Sequence, residues 1–271
     1  MSALPSPHAR TDALVIVAKV PEPGRVKTRL AARIGPQRAA ALYRAFLGDL
    51  AERFGAAHCV DGYDLRWACA PGAQSPDALR AVVGAAADIF PQRGTDFAER
   101  LYQIACDCRA AGYRRLVISS SDSPHLPAEV VASAFAALDR ADVALGPAED
   151  GGYYLIGLPL DHPSGAPPDL FRGIRMSTAT VCAETLARAR ALGLSTTLLA
   201  PSFDIDEAPD LARLWDALRH ADARLAPRTR LALATLLPTT ASAALLPEHD
   251  FAFEARRPGE EIEETDELWR Q

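Results

Sequence analysis

Lys19-Val20-Pro21-Glu22-Pro23-Gly24-Arg25-Val26-Lys27-Thr28-Arg29-Leu30 directly follows the apolar run 13–18. The run reads as a short buried strand, the Pro/Gly piece as a stiffened loop carrying four cations, and Thr28 as the point near which a helix opens. Loops at the carboxyl ends of strands are where open α/β sheets bind ligands. A helix N-terminus adds free N–H groups and partial positive charge suited to phosphate. Like charges held together repel, so Lys19, Arg25, Lys27 and Arg29 call for anionic company. The expectation is a loop, Gly24 included, that holds the phosphates of a nucleotide. The same cations also fit an ordinary solvated run. Two familiar phosphate loops do not fit. Val26 precedes Lys27-Thr28 where a P-loop needs Gly, and no Gly-x-Gly-x-x-Gly follows an apolar run.

Outward from this stretch, strand-like runs alternate with longer helical patterns, the signature of a largely parallel, helix-covered sheet. Strands are expected at 13–18, 65–70, 116–119, 142–145, 153–157 and 196–199, with a short edge-like piece at 89–90. Helices are expected at 37–54 with Gly55 as the stop, at 76–83, from Thr95 or Asp96 to 111 with Glu99 in a capping box, and at 127–137, 177–192 and 209–220. The division expected is an extension at 1–12, a main domain at 13–225 and an appendage at 226–271. The appendage opens on a moderately helical stretch at 227–237 and ends in an acidic tail.

The 271 residues suffice for one large α/β domain, and the net charge of -6 argues against broad nucleic-acid binding. Cation clusters on an acidic chain suggest a confined anion site. Five cysteines show neither disulfide nor zinc spacing and suit the cytosol. No run approaches the roughly 20 apolar residues needed to cross a bilayer. A cytoplasmic protein is expected, with small-molecule partners rather than nucleic acid or membrane.

A phosphate-holding loop calls for a divalent cation opposite, because adjacent phosphates repel each other and any nucleophile. Magnesium, or manganese, takes a few carboxylates and keeps waters and substrate oxygens. Asp122 follows a strand directly, and Asp204 and Asp206 follow the last strand in the same way. Asp122 with Asp206 is the preferred pair, with Asp204 as substitute. Each also fits a turn or a helix cap. Asp150-Gly151-Gly152 is a third feature, since two glycines let backbone approach a ligand or permit positive φ. A plain turn before the next strand accounts for it equally. The six histidines share no spacing and are assigned no chemistry.

On these residues the chain resembles the GT-A-like nucleotide-diphospho-sugar transferase superfamily, most closely a bacterial group labelled arsenosugar-biosynthesis-type glycosyltransferases. The resemblance runs through Lys19–Leu30, Ser121-Asp122-Ser123-Pro124, Gly146–Gly157 and Asp204-x-Asp206, and covers about 13–220. It implies a mixed, mostly parallel sheet with helices on both faces, a nucleotide in the first half and a divalent metal. It also implies that Lys19, Lys27 and Arg29 meet phosphate and Asp122 the metal. Ser120, Phe97-Ala98, Met176 and Glu207 depart from the group's usual residues, which bears on the acceptor more than on the nucleotide.

Two details are similar instead to nucleotidyltransferases such as 2-phospho-lactate guanylyltransferase: the basic loop straight after the first strand, and Asp122 one residue ahead of Ser123-Pro124. They imply transfer of a nucleotidyl group from an NTP to a phosphorylated acceptor, with Lys27, Arg29 and Asp122 as the catalytic set. Sugar transfer from a nucleotide-diphospho-sugar is the alternative, with Asp150 or Glu149 as base. A non-catalytic nucleotide-binding protein is the rival from another class.

Overall fold

The computed structural model describes residues 11–72, 76–162 and 165–236. Most of the expected N-terminal extension and the tail beyond 236 lie outside them. Seven strands form one sheet: β1 (Asp12–Ala18), β2 (Tyr63–Cys69), β3 (Asp88–Pro91), β4 (Arg115–Ser119), β5 (Val143–Pro147), β6 (Tyr153–Pro159) and β7 (Thr196–Leu198), in the order β3-β2-β1-β4-β6-β5-β7. β6 runs antiparallel to β4 and β5, while the remaining pairings are parallel. The sheet is therefore mixed and mostly parallel, as the family resemblance implies.

Eight helices accompany these strands among the described residues: α1 (Thr28–Ile34), α2 (Pro36–Asp61), α3 (Pro76–Val83), α4 (Phe97–Ala110), α5 (Glu129–Leu138), α6 (Val181–Ala191), α7 (Ala208–Arg219) and α8 (Pro227–Leu236). On one face Ala13 and Val15 of β1 join Leu116 and Ile118 of β4, with Leu101, Ile104 and Ala105 of α4 and Ala189 of α6 in the same core. Strand alternation sends the equally buried Leu14 and Ile16 to the other face. There the rings of Tyr63 and Phe135 (α5) stack with centroids 5.8 Å apart.

The two largest departures from the expected boundaries have identifiable reasons. The long helix passes through Gly55 and stops at Gly62, whose φ of 79° supplies the left-handed turn. Gly costs only about 1 kcal/mol inside a helix, and Phe54, fully buried beside it, holds the chain in register. The helix expected from 177 begins instead at Val181, because Ser177 takes a φ of 62°.

α8, which the sequence groups with the appendage, packs on α2. Its first turn is capped across the fold: Arg228 N and Thr229 N donate to Asp49 Oδ1 and Oδ2 at 3.0 and 2.7 Å. Burial raises the Asp49 carboxyl above its ordinary range while these donors oppose the shift. Asp49→Ala is expected to cost about 1–2 kcal/mol, as for loss of a helix cap, measured as a lowered urea midpoint.

The strand order also places the site. β2 and β3 extend the sheet to one side of β1, and the chain then crosses back to lay β4 on the other. The carboxyl ends of β1 and β4 thus flank a topological switch point, where such sheets bind ligands.

Candidate active site

The basic loop leaves β1 through a turn in which Arg25 N donates to Glu22 O at 3.0 Å, with Gly24 at φ 77°. Val26, 2% exposed, anchors the entry into α1. Lys27 then adopts φ 47°, ψ 45° as the residue capping α1, a left-handed conformation uncommon for a residue with a Cβ. This turn buries its side chain, which is only 4% exposed. Its Nζ lies 2.6 Å from Asp122 Oδ1 and 2.9 Å from Asp206 Oδ1. Burial alone would lower the ammonium pKa, but the two carboxylates outweigh it and hold Lys27 above its ordinary value.

A relay of hydrogen bonds fixes the ends of β1 and β4. Lys19 N donates to Tyr43 Oη at 3.1 Å, Tyr43 donates to Ser121 Oγ at 2.7 Å, and Ser121 donates to Val17 O at 2.8 Å. Tyr43 is buried, which with the Asp122 charge pushes its hydroxyl up to about 12, so it stays a neutral donor. Ile205 N donates to Asp122 O at 3.0 Å and pins the Asp204–Asp206 segment to the end of β4. Asp206 N and Glu207 N donate to Asp210 Oδ2 at 2.9 and 2.7 Å, a capping box that opens α7.

Asp204 and Asp206 are therefore in different surroundings. Asp206 faces Lys27, whereas Asp204 accepts from Ser123 Oγ at 2.5 Å and Ser120 Oγ at 3.4 Å. Burial first, then the Asp122 charge, raises its carboxyl to about 6, against the Ser123 bond that lowers it.

A cleft of about 420 Å³ opens at this edge, lined by Lys19, Lys27, Arg29, Asp122 and Asp206 among others. The structure thus brings together residues from the first loop, mid-chain and late chain. Arg29 is 72% exposed and reaches Glu207 at 3.7 Å, a pair worth little in water. Arg25 pairs with Glu22 at 3.0 Å.

Asp150, Gly151 and Gly152 do not line the cleft. Asp150 Oδ1 accepts from Gly152 N at 2.9 Å. Gly151, at φ 88°, lies against the backbone of the segment before α6: a Cβ there would sit 2.0 Å from Ala179 O. Its own carbonyl accepts from Cys182 N at 2.9 Å. Ser177, in that segment, does line the cleft. Glu149 forms a fork with Arg213, one contact at 2.7 Å.

Gln92, Arg100 and Ser177 also line the cleft, with no role expected of them from sequence, and so does Phe97, one of the departures that bear on the acceptor. Gln92 directly follows β3, so the strand-end rule that picked out Asp122 was available for it too. Its Nε2 donates to Ala68 O at 2.8 Å, and its buried Oε1 has no partner among the described residues.

Among the described residues, no three His, Cys, Asp or Glu side chains cluster as a ready cation cage. Asp122 and Asp206 are a two-carboxylate set, and Lys27 engages Oδ1 of each. The donor set fits a hard cation that draws its other ligands from phosphate and water.

His125 lies behind the site, stacked on Phe203 with centroids 4.1 Å apart and with Nε2 3.0 Å from Ser202 Oγ. Burial, reinforced by Arg53 and Arg213, lowers its pKa to about 4. The unfolded chain protonates this ring near 6.5 and the folded chain only near 4, so stability falls as pH drops through that window. His125→Phe is expected to flatten that part of the decline, read from urea midpoints between about pH 7 and 4.5.

A basic loop and strand-end carboxylates meet at the switch point of a mostly parallel sheet, and the fold is the nucleotide-diphospho-sugar transferase-like α/β fold. A protein from Desulfovibrio desulfuricans G20, provisionally described as a nucleotide-diphospho-sugar transferase, is 34% identical. That match covers 82% of this chain and 96% of that one, with a TM-score of 0.72. The chain belongs to the same family as that protein. Residues 48–178 match the family described as an uncharacterized protein conserved in bacteria (DUF2064). The crystal structure of 4-diphosphocytidyl-2C-methyl-D-erythritol synthase is 13% identical over 77% of this chain and 98% of its own, with a TM-score of 0.50, a likeness of fold alone. No curated protein matches the sequence. No helix among the described residues is long and apolar enough to cross a membrane.

Proposed function

We propose that the chain transfers a nucleotidyl group from a nucleoside triphosphate to a small phosphorylated acceptor and releases pyrophosphate. This is the reaction of the guanylyltransferases that its Ser121-Asp122-Ser123-Pro124 element resembles. The convergence of Lys27, Asp122 and Asp206 at a cleft also lined by Lys19 and Arg29 carries the reading.

In this reading Lys19 and Arg29 take the β and γ phosphates, with Gly24 and Arg25 shaping the loop. An oxygen of the acceptor's phosphate attacks the α-phosphorus. The bond from that phosphorus to the bridging oxygen breaks, and pyrophosphate leaves with the electron pair. The acceptor is already an oxyanion, so no side chain removes a proton. Lys27 and Arg29 stabilise the charge that gathers on the transferring group and the leaving pyrophosphate. Magnesium or manganese, bound by Asp122 and Asp206, would neutralise phosphate charge and order the phosphate oxygens. Asp204 holds Ser120 and Ser123, and through them the backbone that presents Asp122.

The description of the Desulfovibrio relative favours a second reading, sugar transfer from a nucleotide-diphospho-sugar. Glu149, a possible base for that reaction, is engaged by Arg213. Incubation with the four NTPs, magnesium and a panel of sugar and acid phosphates separates the two. Pyrophosphate is the product expected. Nucleoside diphosphate released from a nucleotide sugar, with no pyrophosphate from any acceptor, would select sugar transfer instead.

A further inference from the structure

We propose that Arg100 is an anion-binding residue of the cleft, taking a phosphate or carboxylate group of a substrate. The proposal rests on the cleft being a substrate site, as in the preceding reading. It adds a residue from α4 that neither the basic loop nor the strand-end carboxylates point to.

Two of the cations near this edge are already committed: Lys27 is shared by Asp122 and Asp206, and Arg25 lies against Glu22. Arg100 also lines the cleft, and its Nε–H is buried with no acceptor among the described residues. Among the described residues no carboxylate pairs with it. A buried guanidinium N–H left unmatched is unfavourable. Arg100 lines the cleft wall, where an anionic ligand can engage the guanidinium fork beside that buried N–H and offset the cost.

The neighbouring carboxylates are occupied by local structure. Asp96 Oδ1 accepts from Glu99 N at 2.8 Å, and Glu99 Oε2 accepts from both Thr95 N and Thr95 Oγ1 at 2.7 Å. Gly94, at φ 136°, lets the preceding loop press on this turn; a Cβ there would lie 2.9 Å from Arg100 N. The guanidinium carbon sits 5.7 Å from the centroid of Phe97, which restricts the orientation of its plane. Arg100 is therefore oriented before any ligand arrives, and its planar fork matches phosphate or carboxylate oxygens. Both the nucleotide's phosphates and the acceptor's anionic group carry this chemistry.

Calorimetric titration of the full chain separates the two sources. Wild type, Arg100→Gln and Arg100→Lys are titrated with a magnesium–NTP, and then with inorganic phosphate in the presence of saturating NTP. One of the two affinities is expected to fall about 10- to 100-fold in Arg100→Gln, the range for a bond to a charged group. Arg100→Lys should recover part of it. A loss in the NTP titration assigns Arg100 to the nucleotide's phosphates. A loss confined to the phosphate titration assigns it to the acceptor's anion. If Arg100→Gln does not fold, Arg100→Lys decides, with a loss of about threefold or more expected. Affinities within twofold of wild type in both titrations overturn the proposal and leave the proposed function standing. A wild type that binds neither NTP nor phosphate removes both.

Discussion

Asp122→Asn and Asp206→Asn are each expected to cut the rate of pyrophosphate release by more than about 100-fold, since even outer partners of a cation site are worth roughly 10–100-fold. Asn keeps the shape of the side chain and an oxygen that accepts from Lys27, but it removes the charge that a hard cation requires. Asp122 and Asp206 are 36% and 47% exposed, so the fold should tolerate the change. Because Lys27 between them is buried, losing one carboxylate charge is expected to cost about 1–3 kcal/mol of stability, short of unfolding the domain. Rate and melting temperature measured on the same preparations make the contrast. Rates within threefold of wild type for both variants would remove these carboxylates from the chemistry. A rate that falls only as far as the folded fraction falls would make them structural. Asp204→Asn provides a reference, because its carboxylate is bound by two serines and does not line the cleft.

Gly151→Val should be the most destabilising single substitution at this edge, by about 3 kcal/mol or more, combining backbone strain at positive φ with a steric overlap. The added Cβ would meet Ala179 O at 2.0 Å, and backbone on both sides leaves little room to yield. In a domain of this size that loss lowers the melting temperature by several degrees. Gly152→Ala supplies the comparison. Its φ is unremarkable, and its Cβ would lie 3.1 Å from the Asp150 carboxylate, which can rotate. A melting temperature for Gly151→Val equal to that of Gly152→Ala would show that the loop yields, and that the contact does not fix the segment carrying Ser177.

These two cases show what the sequence could express. Asp122 was legible because it lies just past the apolar run of β4, and a strand's end predicts an edge of the sheet whatever the strand order. Asp206 lies eight residues beyond β7, and the Ile205–Asp122 bond brings it to the same edge. Their joint grip on Lys27 was not legible. It depends on a left-handed backbone at Lys27 and on the Ile205–Asp122 bond, and neither leaves a mark in residue type. The glycine pair announced a close approach, but a pattern of two glycines does not say whether a ligand or the chain's own backbone comes near. In the structure the backbone of Ala179 comes near. The same ambiguity misplaced the end of the long helix. Gly55 and Gly62 look alike in sequence, and burial of Phe54 and Tyr63 decides between them.

The ammonium between two carboxylates also governs how the edge looks from a distance. Together the three groups present a single negative charge to solvent, spread over the cleft floor rather than doubled at one point. An approaching polyanion thus meets a muted repulsion, and the field that steers it comes from the surrounding cations, chiefly Lys19, Arg29 and Arg100. Diffusional capture at such a mouth slows as ionic strength rises, even though the buried contacts beneath are nearly unscreened.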